Sequence, residues 1–257
     1  MSENVTTTAI WKQINHLEAI SMTALPAQRT AYLGGWVLRF SAGFTRRGNA
    51  VHPLYGMPDD LLGAVVACET RYAAHGLPTI FKLTPAVPPA LEALLRERGY
   101  AQEAGASVQV ASVRGVTAVE GLEIAPALTE EWLAAYFRLN ERPLAYLPIM
   151  RDMLTRIPCP AGFAALRHDG RIAALGLGVA DGDHVGLFDI ATDPTLRRQG
   201  LGRQLVHGIL HWGAAAGAAQ AYLQVLPTNT PALNLYAQLG FAEVYPYTYF
   251  TRPNAPL

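Results

Sequence analysis

The sequence predicts an α/β (α+β) chain of two similar halves, each a sheet flanked by helices. Three observations lead there. An apolar strand ends at Thr192 and passes through a glycine-bearing turn into a helix with Leu201, Leu205, Ile209 and Trp212 on one face. A second strand, turn and helix follow in residues 220–241, and a hairpin precedes both. The same alternation of strand and helix recurs, more weakly, upstream.

The elements follow in order. Residues 59–75 read as an amphipathic helix ending near Gly76. Residues 81–85 (Phe-Lys-Leu-Thr-Pro) parallel 223–227 (Leu-Gln-Val-Leu-Pro), and 91–100 parallel 232–241. Leu83 to Gly99 spans sixteen residues and Val225 to Gly240 fifteen, the trace that an internal duplication leaves. Residues 113–119 read as the linker, giving domains 1–117 and 118–257. In the second half, 122–125 is a short strand and 129–140 a helix with Thr129 as N-cap. Residues 148–156 are a further helical stretch, and 163–167 with 171–179 a hairpin through His168, Asp169 and Gly170. The strand 185–192 leads to the turn, and Gly217 ends the helix beyond it. Thr230 suits an N-cap, Pro231 a first helical position and Gly240 the C′ position of the next helix. Tyr245, Tyr247 and Tyr249 alternate along 241–252, as on one face of a strand.

Composition narrows the function classes. The formal charge is zero, without the basic excess of a duplex binder, so nucleic acid is not expected as a partner. Cys68 and Cys159 give neither zinc spacing nor a disulfide framework. His207 and His211 lie four apart, but Gly208 stands where a zincin needs Glu, and no metal is expected. The first residues lack the basic and apolar regions of a secretory signal, and no apolar run is long enough to span a bilayer. The expectation is a cytoplasmic protein without membrane contact.

The turn after Thr192 reads Asp193-Pro194-Thr195-Leu196-Arg197-Arg198-Gln199-Gly200-Leu201-Gly202-Arg203. A helix N-terminus has unpaired N–H groups and about half a positive charge, so it attracts anions. Gly200 and Gly202 let a bulky anion approach the backbone, and Arg197 and Arg198 add fixed charge. A nucleotide P-loop is excluded because Gly-x-x-x-x-Gly-Lys is missing, and a dinucleotide fingerprint because Leu205 stands at the third glycine.

What remains, Arg-x-x-Gly-x-Gly at Arg197, Gly200 and Gly202, resembles the acyl-CoA pyrophosphate loop of the GNAT N-acetyltransferases. Downstream, Asn229, Ala232, Leu235, Tyr236, Gly240 and Phe241 are similar to the second half of that family's signature. The resemblance covers residues 122–251 and implies tandem GNAT-like domains. Each would be a mixed, largely antiparallel sheet flanked by helices, with splayed central strands in the C-terminal domain. The first half lacks Arg-x-x-Gly-x-Gly and has Leu95 where Tyr236 stands, so it reads as a degenerate repeat. Arg39, Arg46 and Arg47 in that half either hold an acidic group from the other half or are solvated or structural, the second being the expectation.

The resemblance implies acetyl-CoA as cofactor and a primary amine as acceptor, either a small molecule or a protein N-terminus or lysine. The amides of Gln199, Gly200, Leu201, Gly202 and Arg203 would face the diphosphate, with Arg197 and Arg198 beside it. Ile190, Ala191 and Thr192 would line the pantetheine and acetyl group, the amides of Ile190 and Thr192 acting as an oxyanion hole. Asn229 would touch the pantetheine arm. Tyr236 would be the general acid, since a phenol near 10 can protonate a thiolate near 8.5 at modest cost. Asp189 and Glu141 are the candidates for the base that neutralises the amine; strict alternation would turn Asp189 to the face opposite Ile190 and Thr192. A rival expectation is a non-catalytic acyl-CoA sensor or docking module. Monomer and homodimer both remain open.

Overall fold

The computed structural model describes the backbone of residues 2–252 and the side chains of residues 9–252. The chain forms two compact units, one holding the chain up to Ser107 and from Tyr245 on, the other Val108–Val244. Each is a mixed, mostly antiparallel open sheet with flanking helices.

The first unit contains α1 (Ser2–Ala24), β1 (Arg29–Leu33), β2 (Trp36–Phe40), β3 (Val51–Pro53), α2 (Leu61–Ala74), β4 (Thr79–Leu83), α3 (Pro89–Glu97), the start of β5 (Ala101–Ser112) and most of β11 (Ala242–Arg252). Its strand order is β1-β2-β3-β4-β11-β5. β3 runs parallel to β4, and β11 pairs antiparallel with β4 from Thr248–Leu83 to Arg252–Thr79. The amphipathic helix expected at 59–75 is α2, started by Asp60, whose Oδ1 accepts the Gly63 N–H at 2.8 Å. Trp36, Leu38, Val65, Tyr72, Phe81, Leu91, Leu95 and Phe250 form the core. The sequence expectation has no counterpart to α1. Its buried stripe, Ile14, Leu17, Ile20 and Ala24, is helical in period but broken by buried Glu18 and Ser21.

The second unit contains β6 (Leu122–Ala125), α4 (Glu130–Leu139), α5 (Leu147–Thr155), β7 (Ala161–His168), β8 (Arg171–Asp181), β9 (His184–Thr192), α6 (Leu201–Ala215), β10 (Gln220–Val225) and α7 (Thr230–Gln238). Its strand order is β5-β10-β9-β8-β7-β6. β9 and β10 are parallel, while β6 to β9 are successively antiparallel. Thr129 caps α4, its Oγ1 accepting the Trp132 N–H at 3.1 Å. Val185, Leu187, Leu205, Ile209, Leu223, Val225, Tyr236 and Phe241 pack into one core, so the turn before α6 rests on a closed apolar base. No helix among the described residues is long and apolar enough to cross a membrane.

Candidate active site

β9 positions the centre of the site. Its parallel ladder with β10 runs from His184–Gln220 to Leu187–Leu223 and ends there, although β9 continues to Thr192 and β10 to Val225. On its other side β9 pairs with β8, but Leu177 faces Phe188 while Leu175 faces Ala191. Two residues, Asp189 and Ile190, therefore stand opposite Gly176, forming a bulge, and Asp189 has φ +54°. The bulge corrects the expectation of unbroken alternation at Asp189, because an inserted residue resets the faces beyond it. A Cβ placed on Gly176 would lie 2.5 Å from the Ile190 Cδ1, so the Ile190 side chain fills the space left by the missing side chain there.

After β9 the chain is fixed by Asp193. Its Oδ1 accepts the Thr195 N–H at 3.0 Å and the Thr195 hydroxyl at 2.7 Å, which builds the short 3-10 turn Pro194–Leu196. Arg138 at the end of α4 donates to the Ile172 carbonyl at 2.6 Å and lies 3.3 Å from Asp193 Oδ2. The Thr195 bonds, followed by the Arg138 charge, hold the Asp193 carboxyl below its usual range. The sequence expectation did not include this anchor.

The turn then reaches Arg198 at φ +63° and Gly200 at φ +84°, and Gly200 is the N-cap of α6. A glycine cap offers no side chain to the helix, and the first helical bond is Gln204 N–H to the Gly200 carbonyl at 3.0 Å. The N–H groups of Leu201, Gly202 and Arg203 precede that bond and have no acceptor within the helix. Arg197, Arg198, Gln199, Gly200 and Arg203 are exposed, and Leu201 and Gly202 are half-buried. Backbone shape requires glycine at 200. At Gly202 a Cβ would make only ordinary contacts, 3.5 Å to Leu235 Cδ2 and 3.7 Å to Thr192 Oγ1. Packing within the protein therefore does not demand glycine there, and the open face of the helix end suits a bulky anion. The unpaired amides, the three arginines and this clearance fit the diphosphate of CoA.

α7 adjoins the turn. Leu235 faces Gly202, and Arg203 Nη1 donates to Gln238 Oε1 at 3.4 Å. Asn229, not Thr230, is the N-cap of α7, its Oδ1 accepting the Ala232 N–H at 3.3 Å. The helix starts one residue early because Asn caps at least as well as Thr and Pro231 then falls within the first turn. Gly240 adopts φ +84° just past the helix end. Tyr236 is 7% exposed and meets Phe241 edge-on at 5.7 Å. Its hydroxyl makes no hydrogen bond to protein among the described residues. Burial pushes its pKa up to about 12, so the phenol keeps its proton at neutral pH.

The two candidate bases differ. Asp189 is half-buried in the bulge between Ile190 and the end of the β9–β10 ladder. Glu141 is exposed on the turn after α4 with φ +49°, and no hydrogen bond or ion pair among the described residues joins it to Asp189 or Tyr236. Ile190, Ala191 and Thr192 are half-buried on the end of β9 that β10 no longer pairs, although Ala191 and Thr192 still pair with β8.

Comparisons with known proteins bear on the family and the fold. Residues 11–250 match the family described as "Probable histone acetyltransferase Rv0428c C-terminal". The chain is 26% identical over 248 residues to the uncharacterized N-acetyltransferase YobR of Bacillus subtilis, covering 92% of this chain and 97% of that protein. It is 38% identical over 78 residues to the ribosomal protein bS18 alanine N-acetyltransferase of Escherichia coli, covering 30% of this chain and 53% of that one. Among solved structures, a GCN5-related N-acetyltransferase from Kribbella flavida matches with TM-score 0.70 at 18% identity, over 94% of this chain and 96% of that one. A tandem GNAT protein from the clavulanic acid biosynthesis pathway matches with TM-score 0.64 at 14% identity, over 81% and 76%.

Proposed function

The chain belongs to the GNAT N-acetyltransferases, in the family matched over residues 11–250, and from that premise we propose an acetyl-CoA-dependent transfer to a primary amine, carried by residues of the second unit. The observation that carries this reading is the α6 N-terminus, whose first amides have no acceptor within the helix and lie among the exposed Arg197, Arg198 and Arg203. Bound there, acetyl-CoA supplies an activated thioester. The chain is a tandem of GNAT-like units in which only the second retains the diphosphate loop.

The residues divide the work. Amides of residues 199–203 hold the diphosphate. Ile190 and Thr192, past the end of the ladder to β10, offer backbone N–H groups on that side to the pantetheine and acetyl oxygen. Asn229, the cap of α7, touches the pantetheine arm. Tyr236 holds a proton at Oη as general acid. A pKa near 12 in the free enzyme lies about 3.5 units above a free thiol, an uphill transfer of about 5 kcal/mol. A thiolate expelled into the same buried volume is also desolvated, which raises its own proton affinity and narrows that gap. Asp189, at the bulge, takes the amine proton directly or through water, with Glu141 as the outer candidate.

The acceptor is a primary amine on a small molecule or on a protein N-terminus or lysine. The bS18 alanine N-acetyltransferase acts on a protein N-terminus by its name, and its match supports including that class. The test is thiol release from acetyl-CoA with a panel of amines, small polyamines, amino acids and N-terminal peptides. Amine-dependent release supports the reading. CoA binding without release by any amine would leave only a binding module.

A further inference from the structure

The first unit contains a cavity of about 260 Å³ between the end of α1, β1 and β2, lined by Met22, Ala27, Thr30, Tyr32, Arg39 and Tyr55 among others. None of these residues belongs to the acetyl-transfer site proposed above. Arg39 is 3% exposed. Its guanidinium donates to the Arg47 carbonyl at 2.8 Å, to the Met22 carbonyl at 3.4 Å and to the Leu25 carbonyl. All three acceptors are neutral. No carboxylate among the described residues pairs with it.

Buried charges are normally paired, because removing a cation from water costs several kcal/mol. The α1 C-terminus answers part of the Arg39 charge, since a helix end carries roughly half a negative charge. Glu18 is the nearest acid to act on Arg39, but both its oxygens accept Lys82 Nζ at 2.7 Å and Oε1 accepts the Tyr245 hydroxyl at 2.9 Å. Burial and the neighbouring Arg47 pull the Arg39 pKa down to about 10, which leaves it charged at neutral pH. The region therefore holds a buried cation with no anionic partner of its own, at the wall of a cavity. Arg46, by contrast, is answered by Glu103 at 2.7 Å.

The rest of the lining sets the body of a ligand. Met22, Ala27 and Val37 are apolar. Tyr32 and Tyr55 also line the cavity and are 70% and 62% exposed, far more than large aromatics usually are. The volume lies just below the roughly 300–1,000 Å³ of drug-sized sites, so the occupant is small. We infer that the first unit binds a small organic monocarboxylate, its head against Arg39 and its apolar body between Tyr32 and Tyr55. A small monocarboxylate suits the site because a single positive charge is unanswered there, while three of the five guanidinium N–H groups are already taken by carbonyls.

The test uses the full chain with benzoate and butyrate as probes and benzamide as the neutral control, read by calorimetry and by tyrosine resonances. At least one carboxylate should bind by about 10 mM, and benzamide about ten-fold more weakly or not at all. Arg39→Gln also removes three carbonyl bonds, so it is a poor variant. Thr30→Glu instead places a carboxylate at the cavity wall from an exposed position, and should abolish probe binding without lowering the thermal midpoint. Tyr55→Ala should weaken binding several-fold. Failure of both carboxylates to bind, equal binding of benzamide, or probe binding that survives Thr30→Glu would each overturn the inference.

Discussion

The Ile190 side chain occupies the space over β8 that Gly176 leaves open, with its Cδ1 2.5 Å from where a Cβ on Gly176 would sit. Ile209 Cδ1 closes the same space at 3.0 Å. Gly176→Ala should therefore destabilise by about 1–3 kcal/mol through overpacking. It should also weaken CoA binding, because relief moves the Ile190 side chain beside the bulge. Urea unfolding and CoA titration check both effects. Full stability with unchanged affinity would mean the site does not rest on this contact.

Tyr236→Phe should lower kcat by about ten- to a hundred-fold, in line with loss of a general acid, with little change in CoA affinity. Because the phenol titrates near 12 and not near 10, the wild-type rate should show no falling limb as pH rises through 10. The corresponding stability is complete below the unfolded value of 10 and is lost as pH rises towards 12. A rate that falls with a midpoint near 10 in the wild type but not in Tyr236→Phe would contradict the raised pKa, and an unchanged kcat in Tyr236→Phe would remove Tyr236 from the role.

The local parts of this site were legible in the sequence because they are local. Gly200 and Gly240 serve as helix-end residues where the pattern puts them, and the hairpin at 168–170 joins β7 to β8. The bulge was not legible, since it depends on Gly176 and Ile190, which are distant in sequence and meet only when β8 pairs with β9. The place of β11 was hidden for the same reason. Alternating tyrosines announce a strand but not its partner, and β11 pairs with β4 within the first unit. Asn229 and Thr230 are both good caps, and only the observed hydrogen bond chooses between them.

Glu18 and Lys82 form a buried pair in the first unit, with Lys82 Nζ also 3.7 Å from the Tyr247 ring centroid. Lys82→Met should cost about 3–5 kcal/mol because it strands the carboxylate, and Glu18→Gln in the same chain should restore most of that. Thermal unfolding of the single and double variants checks this. Additive losses would contradict it.

The same pair makes the first unit acid-sensitive. Burial alone would raise the Glu18 pKa, but Lys82 and its other neighbours outweigh it and lower it from 4.5 to about 2. Burial lowers His52 from 6.5 to about 4, with Lys82 and Arg39 adding to the effect. Both are depressed, so their stability is present above the unfolded values. It is lost as pH falls, first from 6.5 towards 4 and then from 4.5 towards 2. His52→Gln should remove the upper part of that loss. An unchanged profile between pH 6.5 and 4 would exclude His52.

Arg138 ties α4 to the start of the turn before α6 through Asp193. Arg138→Gln should weaken CoA binding about two- to five-fold, the scale of a partly exposed ion pair, while kcat at saturation stays near wild type. A loss in kcat with unchanged CoA affinity would place Arg138 on the acceptor side.

The central claim is that main-chain amides at the start of α6 grip a diphosphate, and Gly202→Asp tests it most directly. A side chain at 202 makes only ordinary contacts, and an acid in the first turn of a helix adds about 0.3–1 kcal/mol of stability. The account predicts an unchanged or raised thermal midpoint together with CoA affinity lowered at least about a hundred-fold by calorimetry, as a carboxylate takes the amides and repels the phosphates. A stable variant that binds CoA as tightly as the wild type would contradict it.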